Sequence, residues 1–171
     1  MKMEIVKLTE TQMIRAYTAG IKRQWRHRDP ITGERFSTHR FTAYDTAFDG
    51  DIKGCLVECA VATYYGTQWN SEDWDLAEHS KHKGLPDVEP YFEVRRARTT
   101  KGQLTIRNTD AINKVAVLGC VDEKNENIVY LLGAIKIRDA REGVFEQDDN
   151  GNVYVPQSLL HTVAEFAPVH A

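Results

Sequence analysis

From residue 85 to residue 95 the chain reads Leu85-Pro86-Asp87-Val88-Glu89-Pro90-Tyr91-Phe92-Glu93-Val94-Arg95. Side chains on a strand alternate between its two faces, so Glu93 and Arg95 are predicted to share one face. Phe92 and Val94 then point the other way, into a core. Asp87, just before the strand, can bring a second carboxylate to the face of Glu93. Two carboxylates and a cation at one end of a strand suit a divalent metal and a phosphate.

The size and composition of the chain predict one soluble globular domain. Its 171 residues suffice for a full hydrophobic core, and 42% of them are hydrophobic and 27% charged. No apolar run approaches the roughly 20 residues that a membrane span needs, and the first residues lack the apolar stretch of a signal peptide. Three cysteines make a disulfide framework improbable. We therefore expect a cytoplasmic protein with reduced thiols and no membrane partner.

The net charge of −3 conceals a segregated pattern of charges. Residues 15–40 carry seven basic side chains against two acidic ones, and residues 95–107 carry five basic side chains and no acidic one. Residues 72–93 carry seven acidic side chains against two basic ones. A basic surface around an acidic pocket suits a polyanion that meets a metal, while the alternative is a set of solvated faces of mixed sign.

The order of the predicted elements is helices first and then a run of strands. Thr9 and Gln12 resemble a capping box, and the spacing of three and four residues predicts a helix over 10–27 with one apolar side formed by Met13, Ile14, Tyr17, Ile21 and Trp25. A second helix is predicted over 51–65, stopped by Gly66, with loops over 34–49 and 67–86. Residues 5–8 form either a short strand or a lead-in to the first helix. Strands are predicted over 91–98, 103–107, 114–121 and 128–138, followed by a hairpin of 143–147 with 152–155 and a short helix over 158–165.

This order indicates an α+β domain with a central mixed β-sheet flanked by helices. We divide the single domain, residues 1–171, into an N-terminal helical region (1–48), a core (50–138) and a C-terminal extension (139–171). Val115 to Val121 is almost continuously apolar, as expected of a strand covered on both faces.

Glu58 is the only charged residue in the predicted helical stretch 54–66. A carboxylate on such an apolar helix is costly to bury without a partner. Either Glu58 lies on the wet edge of the helix, or it faces the same pocket as Asp87 and Glu93.

With Glu58 on a helix, Pro86-Asp87 before a strand and Glu93-Val94-Arg95 on it, the chain resembles the PD-(D/E)xK nuclease superfamily, which has the restriction-endonuclease-like fold. It also resembles small uncharacterised tailed-phage proteins with this core. The likeness spans about residues 50–161. The shared segments are Gly54 to Glu58, Asp87-Val88, Glu93-Val94-Arg95, Leu104 to Asp110 and Val155-Pro156-Gln157-Ser158-Leu159-Leu160.

The resemblance implies Mg²⁺- or Mn²⁺-dependent hydrolysis of DNA phosphodiester bonds by a phage-encoded protein in the host cytoplasm. Asp87 and Glu93 would hold the metal, with Glu58 as a direct or water-mediated ligand. The metal would polarise the phosphate and lower the pKa of the attacking water. Since enzymes of this fold commonly work as dimers or larger assemblies, a homo-oligomer is compatible with the resemblance.

Arg95 departs from the family pattern, which usually has lysine at that position. Arginine keeps its proton and cannot act as a general base, although it can bind a phosphate through two hydrogen bonds. The alternative function is therefore a catalytically inactive nuclease-fold module that binds DNA or a host protein. At the structural level, the alternative for Glu93 and Arg95 is an exposed ion pair on a strand.

The remaining candidates have ordinary structural alternatives. Arg96, Arg98, Lys101 and Arg107 are predicted to follow a nucleic-acid backbone, or else form a basic sheet edge.

Asp110 is expected to be a turn residue rather than a ligand. Trp69, Trp74 and Tyr91 are expected in the core rather than stacked on bases. Cys55 and Cys59 are expected to be buried structural thiols, which argues against a zinc site with Glu78, His79 and His82.

Overall fold

The computed structural model describes residues 3–26, 47–70 and 85–168. Its elements, in chain order, are β1 (Glu4–Lys7), α1 (Glu10–Arg26), α2 (Ala47–Tyr65), β2 (Phe92–Arg96), β3 (Leu104–Ile106), β4 (Val115–Val121), β5 (Ile128–Lys136), α3 (Ile137–Glu142), β6 (Glu146–Gln147), β7 (Val153–Val155) and two 3₁₀ turns (Gln157–Leu159 and Val163–Phe166). Of the predicted loop over 34–49, residues 34–46 lie outside the described residues and residues 47–49 belong to α2. Residue 27 of the predicted first helix and residues 71–84 also lie outside the described residues.

Two sheets form the β part of the molecule. The larger has the order β1-β5-β4-β2, in which β2 and β4 are parallel and the other pairs are antiparallel. The smaller is antiparallel, with the order β3-β7-β6. The predicted α+β class and mixed sheet are thus confirmed, as is the late hairpin.

The larger sheet is covered on both faces, which explains the continuous apolar sequence of β4. One face packs against α2 through residues such as Phe92, Val94 and Val117. The opposite face packs against β3, β7 and α3 through residues such as Leu118 and Ile137. All seven residues of β4 are buried, as expected of a strand enclosed between two layers.

Helix α2 lies between α1 and the sheet, and every residue from Cys55 to Ala62 is buried. It ends at Gly66, whose φ of +65° is a left-handed conformation that glycine adopts without steric cost. The predicted stop is therefore confirmed, although the helix begins four residues earlier than predicted. Glu58, in the middle of this buried stretch, is held inside the protein.

The predicted apolar side of α1 is right for Met13 and Tyr17, which pack against the core, and wrong for Ile14 and Ile21. Ile14 is 60% exposed and Ile21 is 38% exposed, whereas Ala16, Ala19 and Gly20 face the interior. A Cβ placed on Gly20 would lie 2.7 Å from the Cα of Ile52 in α2. The two helices approach too closely for large side chains, so small residues rather than bulky ones line their contact.

The start of α1 agrees with its predicted capping box. The backbone N–H of Gln12 donates to Thr9 Oγ1 at 3.3 Å, and the N–H of Thr9 donates to Gln12 Oε1 at 2.8 Å. Two backbone donors that the first helical turn leaves unpaired are thereby satisfied.

The region after β5 differs from the prediction in two places. The strand stops at Lys136 and the chain enters α3, which buries Ile137 and Ala140 at a helical spacing of three. The predicted helix over 158–165 is instead two 3₁₀ turns, because His161 between them pairs with Ala134 of β5 through two backbone hydrogen bonds of 2.9 Å.

Among the described helices, none combines the length and the hydrophobicity that crossing a bilayer requires.

Candidate functional site

Asp87 lies beside β2, which is an edge strand of the larger sheet among the described residues. The outward N–H of Phe92 donates to the carbonyl oxygen of Val88 at 2.9 Å, and the next outward N–H, that of Val94, needs another acceptor. The carboxylate of Asp87 accepts the N–H of Val94 at Oδ2 with a distance of 2.8 Å. This bond holds Asp87 beside the middle of β2, seven residues further along the chain.

The guanidinium of Arg95 brings the two motif carboxylates together. Its Nη1 lies 3.7 Å from Asp87 Oδ2 and 3.6 Å from Glu93 Oε2. Phe92 and Val94 are buried as the alternation predicts. Asp87, Glu93 and Arg95 therefore converge beside the middle of β2, and their side chains are 21%, 13% and 16% exposed.

A third acid completes the surroundings of Arg95. Asp110 accepts two hydrogen bonds from Arg95 Nη2, at 2.7 Å and 2.6 Å. The same carboxylate accepts the backbone N–H of Arg107 at 2.8 Å, so Asp110 is the turn residue that the sequence predicts. Its pairing with Arg95 was not predicted, because the turn and the strand are 15 residues apart in the chain.

Glu58 does not lie on a wet helix edge, since its side chain is only 6% exposed. Arg23 of α1 donates to both of its oxygens, from Nη1 to Oε1 at 2.8 Å and from Nη2 to Oε2 at 2.9 Å. Trp69 Nε1 donates to Oε2 at 2.8 Å. Trp69 is itself buried, as its predicted place in the core requires. The position of Arg23 could not be predicted, because it depends on how α1 crosses α2.

Glu58 and Glu93 both lie close enough to Asp87 for their charges to affect its pKa. Burial raises the pKa of Asp87 to about 7, and the negative charges of Glu58 and Glu93 add to this effect. The Val94 N–H and the charge of Arg95 act in the opposite direction. Burial alone would lower the pKa of Arg23, but the charge of Glu58 raises it above its ordinary value.

Lys114 is a member of the cluster that the sequence reasoning missed. Its Nζ lies 2.6 Å from Glu93 Oε1, and its side chain is 11% exposed. Lys114 immediately precedes β4, and the parallel register places Ala116 opposite Glu93. The lysine and Glu93 are therefore neighbours on one face of the sheet. The only sequence signal was a charge directly before a wholly apolar strand.

The four predicted nucleic-acid contacts occupy different surroundings. Arg98, Lys101 and Arg107 are exposed, the first two in the connection between β2 and β3 and the third just after β3. Arg96 is half-buried and points to the face of β2 opposite to Arg95. The structure brings Arg107 close to the site through its bond to Asp110. DNA contact by these residues stays a prediction.

The carboxylates fit a magnesium ion only in part. Within the described residues, no group of three or more histidine, cysteine, aspartate or glutamate side chains is arranged to hold a metal. Both oxygens of Glu58 already accept hydrogen bonds, which argues against direct ligation. Among the same residues, no hydrogen bond to Asp87 Oδ1 is found, and Glu93 Oε2 has only the longer contact to Arg95. Two carboxylates are the usual protein contribution to a magnesium ion.

The cysteines occupy the buried positions predicted for structural thiols. All three, including Cys55 and Cys59, are buried, and no disulfide forms within the described residues. Burial raises the pKa of Cys55, so the thiolate that zinc requires is disfavoured. Glu78, His79, His82 and also Trp74 lie outside the described residues.

Comparison of the chain with protein-family models, with curated proteins and with solved structures finds no match in any of the three.

Proposed function

We propose that the protein is a Mg²⁺-dependent nuclease-like protein that hydrolyses DNA phosphodiester bonds. The observation that carries this proposal is the convergence of Asp87 and Glu93 on a single nitrogen of Arg95, at 3.7 Å and 3.6 Å. Two carboxylates at the edge of a sheet offer oxygen ligands for a hard cation. The guanidinium beside them can donate two hydrogen bonds to a phosphate.

Asp87 and Glu93 are the residues that would hold the metal. The raised pKa of Asp87, which follows from burial and from the neighbouring carboxylates, indicates an excess of negative charge that a cation relieves. A bound Mg²⁺ would supply positive charge to the phosphate and make a water a stronger nucleophile at neutral pH. Glu58, with its oxygens occupied by Arg23 and Trp69, acts in this proposal through its charge and not as a direct ligand.

Arg95 would bind the phosphate. Its Nε is buried and has no hydrogen-bond acceptor among the described residues. A buried donor without an acceptor is uncommon, and an anionic oxygen would satisfy it. Arg95 keeps its proton, so its contribution is charge stabilisation. Lys114, whose Nζ contacts Glu93 Oε1 at 2.6 Å, is a second cation of the cluster and would hold that carboxylate in position.

The test is DNA cleavage by the purified protein with Mg²⁺ or Mn²⁺, compared with Glu93→Gln. This variant keeps the size of the side chain and removes its charge. Glu123→Gln is the matched control, because Glu123 is exposed in the turn that follows β4, at the far end of that strand. We expect cleavage by the parent and the control and at least a hundredfold loss in Glu93→Gln. Equal cleavage by all three proteins would refute the assignment.

A second candidate is a catalytically inactive module of the same kind, which binds DNA without cutting it. The bidentate pairing of Arg95 with Asp110 favours it, because a guanidinium engaged in this way is less available to a phosphate. Mn²⁺ titration calorimetry distinguishes the two. The inactive module gives salt-sensitive DNA affinity and no Mn²⁺ heat that depends on Asp87. The nuclease gives heat that disappears in Asp87→Asn.

A further inference from the structure

A cavity of about 470 Å³ borders the carboxylate cluster. It lies where the chain enters β2 and β4 and leaves β5, and the C-terminal 3₁₀ turn closes one side. Its size is within the range of about 300–1,000 Å³ that is typical of ligand pockets. Lys114 lines it and also contacts Glu93, so the cavity and the cluster share one residue.

The cavity has a surplus of available positive charge. Lys136 and Arg138 line it together with Lys114, and neither makes a side-chain ion pair or hydrogen bond within the described residues. Of the two acids in its lining, Glu165 accepts hydrogen bonds from Thr162 and lies 3.3 Å from a nitrogen of His161. The lining therefore carries three cations against two carboxylates, and Lys136 and Arg138 are the cations that can accept an anion.

Aromatic rings complete the lining. Tyr91 donates from its hydroxyl to the carbonyl oxygen of Phe166 at 3.2 Å, which holds the C-terminal turn against the start of β2. Both rings are half-buried and both line the cavity. Aromatic faces beside unpaired cations are the combination that binds single-stranded nucleic acid, where bases stack on rings and cations meet phosphates.

We infer that this cavity binds one unpaired nucleotide of the DNA strand, next to the phosphate that the carboxylate cluster receives. The inference rests on the proposed function and specifies its substrate as DNA with a single-stranded segment. A base inside a duplex is stacked and paired, so it cannot enter a concave cavity of this size. Lys136 and Arg138 bind the flanking phosphates. Lys114, which lines the cavity and contacts Glu93, lies between the bound nucleotide and the carboxylate cluster.

The test measures binding without cleavage, by fluorescence anisotropy in EDTA with a labelled 12-residue oligothymidylate and with a blunt duplex. The variant combines Lys136→Gln and Arg138→Gln, two exposed positions whose change leaves the core intact. The control combines Lys7→Gln and Lys124→Gln, which remove the same charge from exposed positions on β1 and at the far end of β4.

We expect the cavity variant to bind the single strand about tenfold more weakly than the control. Each lost phosphate contact also reduces the slope of log K against log salt by about 0.7. The parent should bind the blunt duplex more weakly than the single strand. Affinity for the duplex should not differ between the cavity variant and the control. Ile112→Glu, which places a negative charge in the same lining, should weaken single-strand binding as well.

Equal single-strand affinity of the cavity variant and the control would overturn the inference, because the effect would then be one of net charge. Preference of the parent for the duplex would overturn it too. Cleavage tests the other proposal separately. If Glu93→Gln abolishes cleavage while the cavity variant binds normally, the nuclease assignment stands and the nucleotide site falls. If no protein cleaves DNA and the cavity variant binds the single strand weakly, the nucleotide site stands and the nuclease assignment falls.

Discussion

Replacement of Asp87 by asparagine is expected to remove a large part of the pH dependence of the free energy of unfolding. Burial raises the pKa of the Asp87 carboxyl to about 7 from the value of 3.8 in an unfolded chain, and the charges of Glu58 and Glu93 add to this effect. Asparagine cannot titrate. Its side-chain oxygen can still accept the N–H of Val94, so the local backbone geometry has no reason to change.

The sign follows from where the proton resides. Below pH 3.8 Asp87 is protonated in both the folded and the unfolded state, and its contribution to stability is fully present. Between pH 3.8 and about 7 the folded state keeps the proton while the unfolded state releases it. A raised pKa of an acid therefore means that the free energy of unfolding falls as pH rises through this interval.

The magnitude is set by the size of the interval. Each pKa unit corresponds to about 1.4 kcal/mol, so a shift from 3.8 to about 7 amounts to about 4 kcal/mol. Relative to the parent, Asp87→Asn should therefore gain up to about 4 kcal/mol in stability between pH 4 and pH 8. Titrating groups that do not interact with Asp87 cancel in the comparison, so the difference reports on Asp87 together with Glu58 and Glu93.

Urea unfolding of the parent and of Asp87→Asn, measured by fluorescence at pH 4, 6 and 8, gives the required free energies. Glu123→Gln is a control for the loss of one exposed carboxylate. If the difference between the parent and Asp87→Asn stays constant across this range, Asp87 does not lie in the shared field of Glu58 and Glu93. The candidate site would then lose its electrostatic basis.

Three further outcomes are expected. At pH 8, 10 mM Mg²⁺ should raise the unfolding midpoint of the parent but not of Asp87→Asn, because a ligand stabilises only the state that binds it; an equal shift in both proteins in thermal scans would contradict the metal proposal. Arg23→Met removes the bidentate partner of the buried Glu58 and should cost about 3–5 kcal/mol in urea unfolding at pH 7; a loss below about 1 kcal/mol would show that the pair is dispensable. Gly20→Ala should lower stability by about 1–3 kcal/mol despite the better helix propensity of alanine, because its Cβ meets the Ile52 backbone at 2.7 Å; a higher thermal midpoint would contradict this.

Much of the local structure was accessible from sequence patterns. The capping box at Thr9, the helix stop at Gly66 and the strand over 115–121 depend on neighbouring residues alone. The alternation in 92–95 correctly separates the buried Phe92 and Val94 from Glu93 and Arg95. Short-range backbone preferences and apolar periodicity determine these features, so a window of a few residues contains enough information.

The errors arose where distant segments meet. On α1 the periodicity favoured Ile14 and Ile21, yet the close crossing with α2 selected the small residues. The chain after Lys136 forms a helix because Ile137 and Ala140 find a core to fill. His161 pairs with Ala134 instead of joining a helix. Tertiary packing overrides a weak local preference in each case.

For the candidate site, the residues and the arrangement came from different levels of structure. The order of Glu58, Asp87, Glu93 and Arg95 along the chain was enough to nominate them. Their partners are brought to them only by the tertiary structure. The crossing of α1 and α2 places Arg23, a turn beside β2 places Asp110, and the parallel pairing of β2 with β4 places Lys114. Residue identity determines which charges exist, but the interaction of charges depends on distance and burial, and only the folded chain decides those.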